Sequence, residues 1–287
     1  MFNRIKIKTE SKILLKNVYD IAVLISIINS IISTSLLLIS QSLSENSFVK
    51  MIFSIFWILI STVTGFAVTY FSMNIAKNKD VSFKTFLDGL SLYKTAILSE
   101  LWKTLFLFLW YLILFLPLIA TLLIFFHNFD HTQFFSSPYN ILNFSTVISE
   151  YTETNKIFFY TFIISFSLPI FFGIFKILQY LFTPYILIDE KNISIPDALK
   201  KSIELSKGNK INILILFLSF IGWFILIGIF TSAVIEKFIS NKLIVTFFQE
   251  ILLSFLIPYI NVSLCRAYLS IKDDFINNES NHTSTIN

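Results

Sequence analysis

The chain carries one cysteine, Cys265, in 287 residues. A single thiol closes no intrachain disulfide and builds no cysteine metal site. Histidine is almost as scarce, with His127, His131 and His282, and only the first two are near each other. Glycine and proline number six each, so loops and turns take up little of the chain. Charged residues are 14%, against roughly 25% in soluble domains. That scarcity excludes a disordered chain, which needs high charge and low hydrophobicity. No Walker-type glycine-rich loop, HExxH pair or Gly-x-Ser-x-Gly elbow occurs. The apolar runs lack the paired aspartates or the Ser/His set of an intramembrane protease. These absences argue against an enzyme, and they leave catalytic, cofactor-binding and metal-binding residues unassigned.

What is present is apolar. Hydrophobic residues make up 55%, phenylalanine alone supplies 34, and the mean hydropathy is +0.75. A soluble fold of this size could not keep so much apolar surface from water, so the sequence reads as an integral membrane protein. Six runs, at about 19–40, 49–76, 101–126, 157–180, 211–235 and 243–268, are each long enough to cross a ~30 Å hydrocarbon core. The first run is too long for a signal-peptide core, and Ser40-Gln41-Ser42 is a poor cleavage site. Residues 1–271 form one membrane domain in this reading, and 272–287 form a polar tail expected to be disordered.

Orientation comes from lysine and arginine. The N-terminus, the 77–103 and 176–210 segments and the C-terminus hold 18 of them, and the opposite side holds 4. The positive-inside rule then places both termini in the cytoplasm of the cell membrane. The net charge of +4 follows from this bias and needs no nucleic acid.

Two of these basic segments read as helices. Ser194 and Asp197 have capping-box spacing, Pro196 sits in the first turn, and Gly208 fits the stop. Between them Ile195, Ala198, Leu199, Ser202, Ile203 and Ser206 share one face. In the other segment Phe83, Phe86, Leu87, Leu90, Ile97, Leu98 and Leu101 repeat at helical spacing. Each is expected to lie as an amphipathic helix in the cytoplasmic interface. Val81-Ser82-Phe83 and Ile193-Ser194-Ile195 stand 112 residues apart, and Trp110 and Trp223 share about that offset. A parallel internal repeat of span, interfacial helix and span is the reading. The fold class is therefore all-α: a six-span bundle with two interfacial helices.

Several blocks resemble a known family. They are Tyr185 to Asp189, Asp197-Ala198-Leu199-Lys200-Lys201-Ser202, Lys207-Gly208-Asn209-Lys210 and Leu218-Ser219-Phe220-Ile221-Gly222-Trp223. Pro258-Tyr259, Ala267-Tyr268, Phe86 to Tyr93 and Leu109 to Leu114 belong to the same pattern. Over about residues 80–270, outside the 127–156 loop, this resembles a bacterial integral membrane family catalogued as domain-of-unknown-function family 975. The Ala-Leu-x-x-Ser…Lys-Gly segment is more loosely similar to the membrane domain attached to some glycerophosphodiester phosphodiesterases. The resemblance implies a multi-helix membrane protein and supplies no catalytic residues.

A few residues stand out within this frame. His127 and His131 lie four apart but make half a metal site, with Glu150 or Glu153 needed as a third ligand. Glu250 is an ionisable residue inside the sixth run, and such residues are often functional. Lys176 either snorkels to the interface or faces a cavity, and Arg266 is expected to snorkel. Ser61, Gly65 and Thr69, like Ser26, Asn29, Ser30 and Ser33, put small polar faces on two spans. Helix packing is the commoner use of such faces, and a polar pathway is the sharper one. Pro117 and Pro169 fall within spans, where they can kink a helix. Lys207, Gly208, Asn209 and Lys210 could hold a lipid phosphate.

The functional reading is a noncatalytic membrane protein that interacts with lipids, peptides or partner proteins, in settings such as envelope stress or antimicrobial-peptide tolerance. Its partners are membrane lipids, with a partner membrane protein or a second copy also in view. A transporter or transporter subunit using Glu250 and Lys176 is the alternative, and an intramembrane lipid-acting enzyme is the third.

Overall fold

A computed structural model describes residues 2–42, 47–128, 156–190, 192–239 and 241–284. The described residues are helical and contain no strand. Among the described residues six helical stretches are long and apolar enough to cross a membrane: 19–36, 48–76, 93–124, 158–189, 210–235 and 243–277. The protein is an all-α polytopic membrane bundle. It divides into two compact units, Met1–Lys103 with Leu178–Asn287, and Thr104–Ile177.

In the larger unit, α1 (Arg4–Leu15) starts at Asn3, whose side chain accepts a hydrogen bond from the Lys6 amide at 3.1 Å. Ile7, Ser11 and Leu15 recur every fourth residue and form its buried face. Next come α2 (Tyr19–Ser42) and α3 (Ser47–Ala76). Asn78, at φ +54°, follows the end of α3 with the left-handed conformation that asparagine tolerates.

The helix expected across 83–101 is split in two. A capping box of Ser82 and Thr85 starts α4 (Phe83–Leu90), and Ser91 Oγ donates to the Asp88 carbonyl at 2.6 Å where it ends. Ile97, Leu98 and Leu101 belong instead to the first turns of the long α5 (Tyr93–Asn128). Gly89 sets the docking of α4: a Cβ there would lie 2.8 Å from the Ala67 Cα.

The 158–189 stretch holds two helices, the first of which covers the fourth run. Helix α6 (Lys156–Tyr180) gives way to α7 (Thr183–Asp189), with Pro184 in the first turn, where its missing N–H costs nothing. Ser202 bridges the break: its Oγ donates to the Gln179 carbonyl at 2.7 Å and accepts from the Phe182 amide at 3.1 Å. Ser202 comes from α8 (Ile195–Ser206), which starts at Ser194 as its sequence indicates. Ala198, Leu199, Ser202, Leu205 and Ser206 are buried, so this helix lays its apolar stripe on protein. Gly208, at φ +82°, takes the left-handed position expected of it.

Helix α9 (Lys210–Phe230) runs into a π-turn at Thr231–Ile235. The last helix, α10 (Lys242–Ser284), passes through Pro258 and continues across residues 272–284, expected as a disordered tail. Burial of Ile271 and the ion pairs of Lys272 hold the start of that extension against the core. Residues 285–287 lie outside the described residues.

The smaller unit pairs the α5 segment from Thr104 with the α6 segment up to Ile177. Lys176 stands on Trp110, Gly173 meets the Tyr111 ring, and Thr121 Oγ1 lies 3.2 Å from Ser165 Oγ. These pairs advance in opposite directions along the two helices, so the segments are antiparallel.

Candidate functional site

Two carboxylates at the end of α7 gather four elements. Asp189 is bonded by Lys77, from the end of α3, and its Oδ2 accepts from Lys272 Nζ at 2.6 Å and from the Tyr268 hydroxyl at 3.0 Å. Glu190 accepts from Lys201 at 2.7 and 2.8 Å and from Lys272 at 2.9 Å. Nearby, Arg266 binds Glu10 of α1 and donates to the Ala76 carbonyl at 3.3 Å. Arg266 is thus a strut between α1, α3 and α10. Every charge in this cluster has a partner, which makes it a clamp.

Glu190 gives the clamp a pH dependence. Burial opposes its ionisation, but hydrogen bonds from Lys201 and Lys272 outweigh that and hold its carboxyl below the ordinary value. A carboxylate with a depressed folded pKa adds stability above its unfolded pKa, roughly 4.3, and loses it as pH falls through the lower folded value. Unfolding midpoints measured from pH 7 to 3 should therefore fall at the acid end. Glu190→Gln should be less stable near neutrality and show a shallower acid fall.

A second feature lies between α1, α9 and α10. Here a groove of ≈ 890 Å³ has Lys8, Lys12 and Lys16 on one side and apolar walls that include Trp223, Phe255 and Tyr259. The lysines stand at i, i+4 and i+8, on one face of α1 and just beyond its end. Lys8 Nζ lies 4.5 Å from the centre of the Phe220 ring and donates to Ser219 Oγ at 3.1 Å. Lys12 Nζ lies 5.7 Å from the Tyr259 ring. Tyr19 bridges from α2, its hydroxyl donating to the Phe255 carbonyl at 2.8 Å. Among the described residues no carboxylate pairs with Lys8, Lys12 or Lys16, since Glu10 is taken by Arg266. Burial, then the charges of Arg4 and Lys12, hold Lys8 below its ordinary pKa. The groove is cationic at one edge and apolar along its length.

A third feature is a cavity of ≈ 410 Å³ lined by α3, the first turns of α5 and the start of α7. Ser61, Gly65 and Thr69 face it. A Cβ on Gly65 would meet nothing within 4 Å, so this small-residue stripe borders open space instead of packing against a helix. Trp57 and Thr183 also line it. Trp57 Nε1, Ser61 Oγ and Thr183 Oγ1 are themselves buried, without a hydrogen-bond partner among the described residues. An unpaired buried polar group costs about 1–3 kcal/mol.

With this geometry in hand, the chain matches over residues 1–274 a family described as Protein of unknown function (DUF975). It belongs to that family. No curated protein and no solved structure matches it. The match extends further toward the N-terminus than the 80–270 stretch that carries the sequence resemblance. For this DUF975 protein, α1 and its lysines are therefore part of the family's domain.

The singled-out residues are scattered over this DUF975 fold. Lys207, Gly208, Asn209 and Lys210 form the turn between α8 and α9, with Lys207 and Gly208 exposed. Glu250 is half-buried on α10 and lines neither cavity. Lys176 lies in the smaller unit, its Nζ 3.1 Å from the centre of the Trp110 ring. His131, Glu150 and Glu153 lie outside the described residues, as does most of the 127–156 loop. Sequence reasoning missed the groove, although the four-residue spacing of Lys8, Lys12 and Lys16 was a usable signal. It also missed Lys272, whose partners are more than eighty residues away.

Proposed function

We propose that this DUF975 protein is a noncatalytic membrane protein that holds an anionic phospholipid of the cytoplasmic leaflet in the α1–α9–α10 groove. The observation that carries this reading is the pairing of Lys8, Lys12 and Lys16, without carboxylate partners among the described residues, with an apolar wall of Trp223, Phe255 and Tyr259. A phosphate would relieve the mutual repulsion of the lysines, and acyl chains would cover the wall. The reading takes both termini as cytoplasmic, from the lysine and arginine bias, which sets the lysines at the leaflet richest in anionic lipid. The transporter alternative rests on Glu250 and Lys176, and Glu250 lines neither cavity.

The test uses the full chain in nanodiscs of equal phosphatidylglycerol and phosphatidylcholine, with retained lipid counted by native mass spectrometry. Wild type should keep phosphatidylglycerol preferentially. Lys8→Gln/Lys12→Gln/Lys16→Gln should lose roughly 3 kcal/mol of that binding, about a hundredfold. Lys200→Gln, an exposed change of the same sign, should lose none. Headgroup-indifferent retention, or equal retention by the triple variant, contradicts the proposal.

A further inference from the structure

The lysines of the groove continue a longer row. Arg4, Lys8, Lys12 and Lys16 recur every fourth residue, so cations follow one another along one side of α1 and just past its end. At 1.5 Å of rise per residue, neighbours in the row stand about 6 Å apart along the axis, and Lys8 to Lys16 covers about 12 Å. Among the described residues no carboxylate pairs with any of the four. Glu10 is taken by Arg266 and faces Lys6 at 3.9 Å, and Asp20, one turn beyond Lys16, pairs with none of them. The lining of the groove contains no acidic residue.

The row has a fixed end. Lys8 Nζ donates to Ser219 Oγ at 3.1 Å and stands 4.5 Å from the centre of the Phe220 ring. Lys8 and Lys12 also share a ring, with their Nζ atoms 6.0 and 5.7 Å from the centre of Tyr259. A phosphate seated between Lys8 and Lys12 leaves Lys16 one turn further on, and a phosphate between Lys12 and Lys16 leaves Lys8. The row therefore offers two phosphate seats, about 6 Å apart. Charge points the same way, because one phosphodiester brings a single negative charge to a row of four cations. Arg4 adds its charge at the Lys8 end, where it already acts on Lys8.

A lipid whose two phosphodiesters are joined by a glycerol fits both the spacing and the charge. The bonds between its phosphorus atoms are as many as in two extended residues of backbone, so the phosphates stand up to roughly 7 Å apart. A diphosphate, with a single bridging oxygen, is too short to reach both seats. The apolar wall suits the several chains of such a lipid: Trp223 and Leu226 of α9 and Phe255 of α10 are all exposed along it. Basic pockets between membrane helices are a known setting for headgroups of this kind.

We infer that the lipid of this groove is a diphosphatidylglycerol, with one phosphate between Lys8 and Lys12 and the other between Lys12 and Lys16. The inference rests on the reading of the groove as an anionic-lipid site and names its headgroup. Once one phosphate is seated, the glycerol holds the other beside its own seat, so the second binds from a high local concentration. Two separate phosphatidylglycerols lack that link.

The experiment is native mass spectrometry of the full chain released from phosphatidylcholine nanodiscs that hold diphosphatidylglycerol and phosphatidylglycerol at equal total phosphate. Wild type should retain one diphosphatidylglycerol at least tenfold over phosphatidylglycerol. Lys16→Gln removes one seat and should cut diphosphatidylglycerol retention about fivefold. Phosphatidylglycerol needs one seat only, keeps that of Lys8 and Lys12, and should lose less than twofold. Lys16→Arg keeps the charge and should keep the preference, and Lys200→Gln should leave both lipids unchanged. A preference that survives Lys16→Gln, or falls equally in Lys200→Gln, overturns the inference. Two phosphatidylglycerols held as firmly as one diphosphatidylglycerol overturn it too, and leave the anionic-lipid reading standing. Retention indifferent to headgroup overturns both.

Discussion

Asp189→Ala should destabilise the protein by about 3 kcal/mol, read as a fall in the unfolding midpoint of the purified full chain. The carboxylate is largely buried, with 12% of its side-chain surface exposed, and it joins Lys77, Lys272 and Tyr268. Removing it leaves the Lys77 ammonium, itself only 25% exposed, without its carboxylate partner. Breaking one side of a buried pair is costly because the remaining charge stays desolvated. Lys272 suffers less, since Glu190 remains 2.9 Å away. The double variant Asp189→Ala/Lys77→Met should therefore cost clearly less than the sum of the two single changes. Additive losses would mean that the pair has no energetic coupling.

Gly89→Ala should cost about 1–3 kcal/mol, and the contrasting Gly65→Ala should be neutral or stabilising by up to about 1 kcal/mol. Both glycines sit within helices, so any gain in helix propensity is similar. What differs is the space each faces. A Cβ at Gly89 would approach the Ala67 Cα to 2.8 Å and its carbonyl oxygen to 3.1 Å, and backbone on α3 cannot move aside as a side chain can. A Cβ at Gly65 would touch nothing within 4 Å. Unfolding midpoints of the two variants, measured side by side, check the docking of α4 on α3. Equal effects would contradict it.

What was legible in the sequence is local. The long apolar runs, the Ser194 cap, Pro196 and the Gly208 stop all depend on residues a few positions apart, and the structure places them as read. The division of the 83–101 segment was hidden because its apolar stripe keeps helical phase across the turn at Ser91. The turn is marked only by Ser91, whose hydroxyl bonds back to the Asp88 carbonyl, and by the close seat of Gly89 on Ala67. The ion clamp was hidden for a related reason: Lys77, Asp189, Lys201 and Lys272 are far apart in the chain, and Lys272 sits in a stretch whose composition reads as a tail. The stripe of Ser61, Gly65 and Thr69 has the same spacing whether it packs or borders a cavity. Only the empty space beside Gly65 separates the two uses. The lysines of α1 were visible, but as charges that set orientation. The aromatic wall opposite them, which changes their meaning, comes from helices more than two hundred residues away.

The lipid groove can be tested most directly by photocrosslinking. A phosphatidylglycerol carrying a photoactivatable acyl chain would be incorporated with the full chain in nanodiscs, and the crosslinked peptides mapped by mass spectrometry. Crosslinks concentrated on the α9 segment around Trp223 and the α10 segment from Leu252 to Tyr259, and lost in the triple lysine variant, are the predicted result. Crosslinks spread evenly over the lipid-facing surfaces of all six spans, unchanged by Lys8→Gln/Lys12→Gln/Lys16→Gln, would contradict it.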